Sequence, residues 1–297
     1  IERRYLVKQI KEFLFDENLE LKLDIENVID IMVSSYGFLY EKARDVFTFL
    51  HLSFQEYFTA CYYADRASEE MLGDLFDKYL NDRRWFHTKL FFCQIIDNPM
   101  PFLEVAHNKL NLLIKGDDVC FSLVQWANDK SLKSSSPGFV SRIVCFFIAL
   151  TFIHNRSDII SLNFDLARNL KRPPLEGADK IADDALSSTY QIRELCRDAY
   201  RLIRENSIES KDTTLDLNLY SLIGGNFGTG PEMMVIIKKV CSKFGLIIDE
   251  IDFETWNLTK KQVEIIAQYL RGNNIMIDVA KRNNIMHKIE LQEMLFT

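Results

Sequence analysis

Phe47-Thr48-Phe49-Leu50-His51-Leu52-Ser53-Phe54-Gln55-Glu56-Tyr57-Phe58-Thr59-Ala60-Cys61-Tyr62-Tyr63-Ala64 changes its period part-way. Phe47 and Phe49 alternate with Thr48, as in a half-buried strand. From Phe54 onward, Phe54, Tyr57, Phe58, Cys61 and Tyr62 recur at the spacing of one helical face. Between the two patterns, Ser53-Phe54-Gln55-Glu56 has the form of a capping box. In such a box the Ser53 hydroxyl accepts from the Glu56 amide, the Glu56 carboxylate accepts from the Ser53 amide, and Leu52 packs on Tyr57 as a staple. The pattern predicts a strand ending at Phe49 and a helix N-capped by Ser53 that buries its aromatic stripe.

His51 lies two residues before that expected cap, near the amides and positive dipole end where a helix favours an anion. Two readings stay open on spacing alone. An imidazole there suits a phosphate, but a single histidine is more often a core side chain bonded to backbone.

Upstream, residues 1 to about 15 read as a helix, with Tyr5, Leu6, Ile10, Phe13 and Leu14 on one side. A second helix starts at Asp24, which can cap it. Ile25, Val28, Ile29 and Met32 form its stripe, and Gly37 ends it in the left-handed conformation. Phe38 to Tyr40 and Val46 to Phe49 then pair as a hairpin across Glu41 to Asp45. Helix, helix, wing is winged-helix order. No basic recognition face precedes the wing, so a switch role is expected before DNA reading.

The chain has 297 residues, is 47% hydrophobic and 12% aromatic, and carries a formal charge of −7. That supports folded cores and argues against a nucleic-acid groove, which needs concentrated positive charge. Six cysteines at 61, 93, 120, 145, 196 and 241 show no CxxC pair and read as free thiols of a cytoplasmic protein. Ile143 to Ile153 is the longest strongly apolar run; at about half the length of a membrane span it reads as a core helix.

Residues 66 to 206 read as a helical, superhelical domain. Beyond it Leu215, Leu217 and Leu219 alternate like a strand, followed by helices ending near Phe244 and capped by Thr259 with Gln262. Leu246 to Phe253 reads as a further strand, Gly272 as a helix stop, and Ile275 to Val279 and Ile285 to Leu291 as two strands around Asn283-Asn284. The expected architecture is thus mainly α, in three parts: a winged-helix segment over 1–65, the helical domain over 66–206, and a small α+β module over 207–297.

The opening stretch, through Phe49-Leu50-His51-Leu52-Ser53-Phe54-Gln55-Glu56-Tyr57-Phe58, resembles the end of the winged-helix domain in NACHT-family signalling NTPases. That family includes animal inflammasome receptors and bacterial antiphage proteins. Ser35-Tyr36-Gly37-Phe38-Leu39-Tyr40 looks like the preceding helix end and first wing strand. Asn81-Asp82-Arg83-Arg84-Trp85 with the apolar helix after it is similar to the opening of the family's helical domain. The resemblance implies that His51 contacts the β-phosphate of ADP and stabilises a closed, inactive state, with ADP/ATP and magnesium as cofactors of the parent protein. It further implies an upstream NACHT domain of the same chain as partner, an activating ligand such as a phage protein, and an oligomer on activation. Some bacterial members end in a short sensor domain, the position that residues 207–297 occupy.

No phosphate loop of the form GxxxxGKS/T occurs, nor an acidic magnesium strand, so this chain alone is not expected to be the NTPase. It opens on Ile1 without methionine and reads as the carboxy-terminal part of a longer protein. Gly224-Gly225-Asn226-Phe227-Gly228-Thr229-Gly230-Pro231 leads into a helix, but its spacing fits a turn better than a phosphate site. Asp249, Glu250, Asp252 and Glu254 read as a solvated acidic face, and the histidines at 51, 87, 107, 154 and 287 show no zinc spacing. No GxSxG elbow or cysteine triad context points to catalysis. The expected role is regulatory: to hold an ADP-bound state and respond to a ligand. A helical interaction scaffold without a nucleotide role is the alternative.

Overall fold

Arg3 joins the first three elements of the chain. In the computed structural model, which describes residues 1–16, 24–134, 138–169, 178–206, 213–224, 231–246 and 258–297, helix α1 spans Arg3–Asp16 and helix α2 spans Ile25–Ser34. Strands β1 (Leu39–Ala43) and β2 (Val46–Phe49) pair antiparallel, Leu39 opposite Phe49. The Arg3 guanidinium donates to Glu26 (3.2 Å) and Asp30 (2.9 Å) on α2 and to Asp45 (3.1 Å) in the hairpin turn, and lies 4.9 Å from the Phe47 ring centroid. Beneath it Ile25, Ile29 and Phe47 form a small core against which Leu6, Val7, Ile10 and Leu14 pack. Ile1 exchanges main-chain hydrogen bonds with Phe47 (2.6 and 2.8 Å), so the first residues add a short third edge to the wing. The Asp24 side chain caps α2 by accepting from the Asn27 amide, and Gly37 is left-handed at φ +63°, both as the sequence predicts.

Two compact units divide the chain: Ile1–Met71 with Asn81–Asp97, and Leu72–Leu80 with Asn98–Thr297. The first holds the elements above, helix α3 (Leu52–Asp65), a 3-10 turn at Arg83–Trp85 and helix α5 (Phe86–Ile95), which packs on α3. Helix α4 spans Glu69–Asn81. The Asn81–Trp85 stretch and the helix after it fall in the same compact unit as α3.

The second unit contains α6 (Met100–Lys115), α7 (Asp118–Leu132), α8 (Phe139–Asn169), α9 (Ala178–Asn206), α10 (Thr213–Gly224), α11 (Pro231–Lys243), α12 (Lys260–Arg282) and α13 (Ile289–Met294). From α6 to α9 each helix packs on its neighbour in sequence, as in a stacked layer, but α12 returns to pack on α6, α7 and α9 and closes the arrangement. The α8 helix is its axis: every residue from Ser141 to His154 is buried, including the run Ile143 to Ile153.

The fold is mainly α, and among the described residues the hairpin is the only sheet. The expected α+β module at the end of the chain is therefore corrected. Leu215–Leu219 lies in α10, where Leu219, Leu222 and Ile223 are buried at helical spacing. Ile275–Val279 lies in α12, and residues 289–294 form α13. The alternation at Ile275, Ile277 and Val279 misleads because α12 is buried on more than one side there. Gly272 does not stop the helix either. A Cβ at this position would overlap the Leu110 side chain, so glycine lets α12 and α6 approach closely. The expected strand at 246–253, with its acidic residues, falls mostly outside the described residues, as does the glycine loop after Gly224. No described helix is long and apolar enough to cross a membrane.

Candidate functional site

Position 51 is set by the base of the hairpin. Left-handed Gly37 turns the chain out of α2; there the Tyr36 amide reaches the Ile31 carbonyl (3.2 Å) and the Phe38 amide the Met32 carbonyl (3.0 Å). Phe38 in turn accepts from the Leu50 amide at 3.0 Å, closing the hairpin one residue before His51. His51 is extended (φ −127°, ψ 137°) and is the N-cap of α3; its carbonyl accepts from the Phe54 amide at 3.1 Å.

The helix begins at Leu52, with only Leu50 and His51 between it and β2, and Ser53 falls inside its first turn. The expected capping box is corrected accordingly: α3 has no side-chain cap hydrogen bond, Ser53 is not the N-cap, and Glu56 is buried without returning to the Ser53 amide. Moving the start shows which face is covered. Glu56, Ala60 and Tyr63 are buried, whereas Leu52 is 64% exposed and Tyr57, Phe58 and Tyr62 each more than 40%, so neither the Leu52–Tyr57 staple nor a buried stripe forms.

These half-exposed rings form a connected aromatic surface. Phe38 stacks on Tyr36 (5.5 Å between centroids) and meets Phe54 and Phe58 edge-on at 5.2 and 5.3 Å, and Tyr57 meets Phe91 of α5 at 5.7 Å. A hydrogen bond with Cys61 pushes the Tyr57 phenol above its ordinary pKa. Arg66 lies over both Tyr62 and Phe13, at 4.5 and 5.1 Å. Arg84 pairs with Asp82 at 2.7 Å, and that guanidinium holds the Asp82 carboxyl below the usual carboxylate range.

His51 stands at one end of this surface. Its ring is exposed, 6.0 Å from the Phe54 ring, and makes no hydrogen bond among the described residues, which excludes the core-histidine reading. Exposed imidazole beside first-turn amides that have no partner within their helix is an arrangement able to meet an anion from outside. His87 and His287 are likewise exposed and His154 is buried. Among the described residues no group of three metal-ligating side chains comes together. None of the six cysteines is in a disulfide; burial pushes Cys120 and Cys241 up to about 12 and raises Cys145 as well, so these three are protonated packing groups.

Comparison with protein families, curated proteins and solved structures finds no match to this chain.

The polar groups that the sequence reading missed lie in the second unit. Arg142, one residue before the apolar run of α8, is buried, and so is Asn273 in the middle of α12. A charged residue at the edge of a core helix must find acceptors, and that requirement was the available signal for Arg142. Its acceptors are main-chain carbonyls some 150 positions away (|i−j| = 153 for Leu295), beyond any local pattern.

Proposed function

We propose that this chain is the regulatory and sensing part of a NACHT-type signalling NTPase in innate immune or antiphage defence. In the parent protein His51 holds the β-phosphate of ADP, and the aromatic surface of α3 and the hairpin docks on the upstream nucleotide-binding domain. A ligand taken up by the helical unit favours the open state, which releases nucleotide and oligomerises. Such a ligand acts only through its different affinity for the two states.

The observation that carries the reading is His51 itself: an exposed ring that makes no hydrogen bond among the described residues, at the start of a helix whose aromatic face is left half open. Contiguous exposed apolar surface of this kind marks interaction sites on soluble domains. The same surface also suits a scaffold that binds a protein without nucleotide, so the test must separate the two.

Full-length protein, wild-type and His51→Ala, is purified under identical conditions, and bound ADP and particle mass are measured. Loss of ADP with a shift to larger particles in the variant is the expected result. Wild-type protein without nucleotide, equal in mass to the variant, sinks the nucleotide reading and favours the scaffold.

A further inference from the structure

Residues 288–297 are held in place through side chains of other helices. Among the described residues, the hydrogen bonds they make between main-chain groups are local: Lys288 to Ile285, Gln292 to Lys288 and Leu295 to Leu291. The rest of the unit reaches them with polar side chains from three helices, among them Tyr269 of α12, whose hydroxyl donates to the Thr297 carbonyl at 3.5 Å. Arg142 of α8 donates through Nε to the Leu295 carbonyl (2.8 Å) and through Nη2 to the Gln292 carbonyl. Asn273 of α12 accepts the Phe296 amide at 2.8 Å, and donates to its own helix at Tyr269 (3.0 Å). His107 of α6, whose Nε2 pairs with Asn111 at 2.9 Å, meets the main chain of Met294.

These side chains all meet backbone atoms, and shape is read separately by burial of Leu291, Leu295 and Phe296, the last edge-on to Tyr269 at 5.9 Å. Main-chain hydrogen bonds combined with side-chain pockets are how proteins bind extended or short helical peptides. Phe296 is left-handed at φ +61°, a conformation a bulky residue keeps only when its surroundings impose it.

The connection to α12 is short. Its Asn283 ends the helix, and left-handed Asn284 (φ +53°) turns the chain back, with the Asn284 amide on Lys281 and the Ile285 amide on Ala280. Short hinges that hold a strained turn favour exchange of the element beyond them between copies.

We propose that the groove between α6, α8 and α12 is a peptide-binding site for a segment of the form Leu-x-x-x-Leu-Phe, filled in one chain by its own residues 288–297, and that its ligand in trans is the same segment of a second copy. Tethering presents the chain's own segment at roughly millimolar effective concentration, so a single chain is self-occupied when dilute and exchanges when concentrated. This stands apart from the nucleotide reading and needs no upstream domain.

The full chain, wild-type and Asn284→Val, is followed by size exclusion with light scattering over a range of concentrations. A β-branched residue disfavours the left-handed turn, so the dimer fraction rises with concentration and is about tenfold greater in the variant. Adding Phe296→Asp, or an excess of free peptide 288–297, returns it to monomer. Folded Asn284→Val protein that stays monomeric, or a dimer indifferent to both, overturns the proposal. Hydrogen exchange on the wild-type chain decides it whatever the variant's folding. The amides of Gln292, Leu295 and Phe296 exchange about a hundredfold or more faster than those of Ile143 to Ile153, because the segment opens by itself. Exchange at the α8 rate overturns the proposal, since a segment that leaves only with the core cannot be traded.

Discussion

The Gln262 amide of α12 donates to both carboxylate oxygens of Asp117, at 3.0 and 3.2 Å, although Asp117 is the N-cap of a different helix, α7. Asp117 also accepts from the Val119 and Cys120 amides, each at 3.1 Å. Gln262 in turn belongs to the capping box of α12 with Thr259, so one carboxylate serves the starts of two helices. Asp117→Ala removes a cap and takes the acceptor from the Gln262 side-chain NH2 group, and is expected to cost about 1–2 kcal/mol by urea unfolding. The cap hydrogen bonds, from Cys120 first, hold the Asp117 carboxyl below 3.8, its ordinary value. Its stabilising contribution is therefore complete above that value and lost as pH falls through the lowered one. Acid unfolding of Asp117→Asn should show a shallower slope in that range.

His107 gives a second pH dependence at milder acidity. Burial, the main cause, holds its ring below the ordinary 6.5; Lys115 acts in the same direction, and the bond to Met294 opposes both. Below about pH 6.5 the unfolded chain takes up a proton that the folded chain refuses, so stability falls as pH drops from there toward the lowered value. Urea midpoints taken between pH 7.5 and 5.5 should decline in the wild type and decline less in His107→Gln.

Ser53→Ala tests the start of α3 directly. A serine N-cap replaced by alanine costs about 0.5–2 kcal/mol, whereas an exposed serine within the first turn changes stability by less than about 0.5 kcal/mol. The structure requires the smaller effect, and a loss above about 1 kcal/mol would return Ser53 to the cap.

Gly272→Ala should destabilise despite alanine's better helix propensity, by about 1–3 kcal/mol, because the added Cβ overlaps the buried Leu110 side chain at Cδ2, Cδ1 and Cγ. The loss should shrink in a Leu110→Ala background, where the overlap is gone. A double-mutant cycle with no coupling between the two positions would contradict the packing described.

What could be read in the sequence followed from local chemistry. Asp24 and Thr259 declare themselves as caps, Gly37 as a left-handed stop, and residues 46–49 as a strand, because each depends on neighbours within a turn or a hairpin. The start of α3 lies two residues before the position that the Ser53–Glu56 pattern suggests, with His51 as the N-cap and no side-chain cap hydrogen bond. The strand-like alternation at Ile275, Ile277 and Val279 misled for a tertiary reason: burial on several sides of α12 erases its 3.6-residue period. Position 51 was legible, whereas its exposure was not, since that depends on which face of α3 the rest of the unit covers.

From Ser141 to His154 α8 has no open side. Neither a ligand nor a modifying enzyme can meet those residues while the unit stays folded. Whatever binds the outer helices can be felt along this axis only as a push, passed through close-packed side chains that have little room to yield.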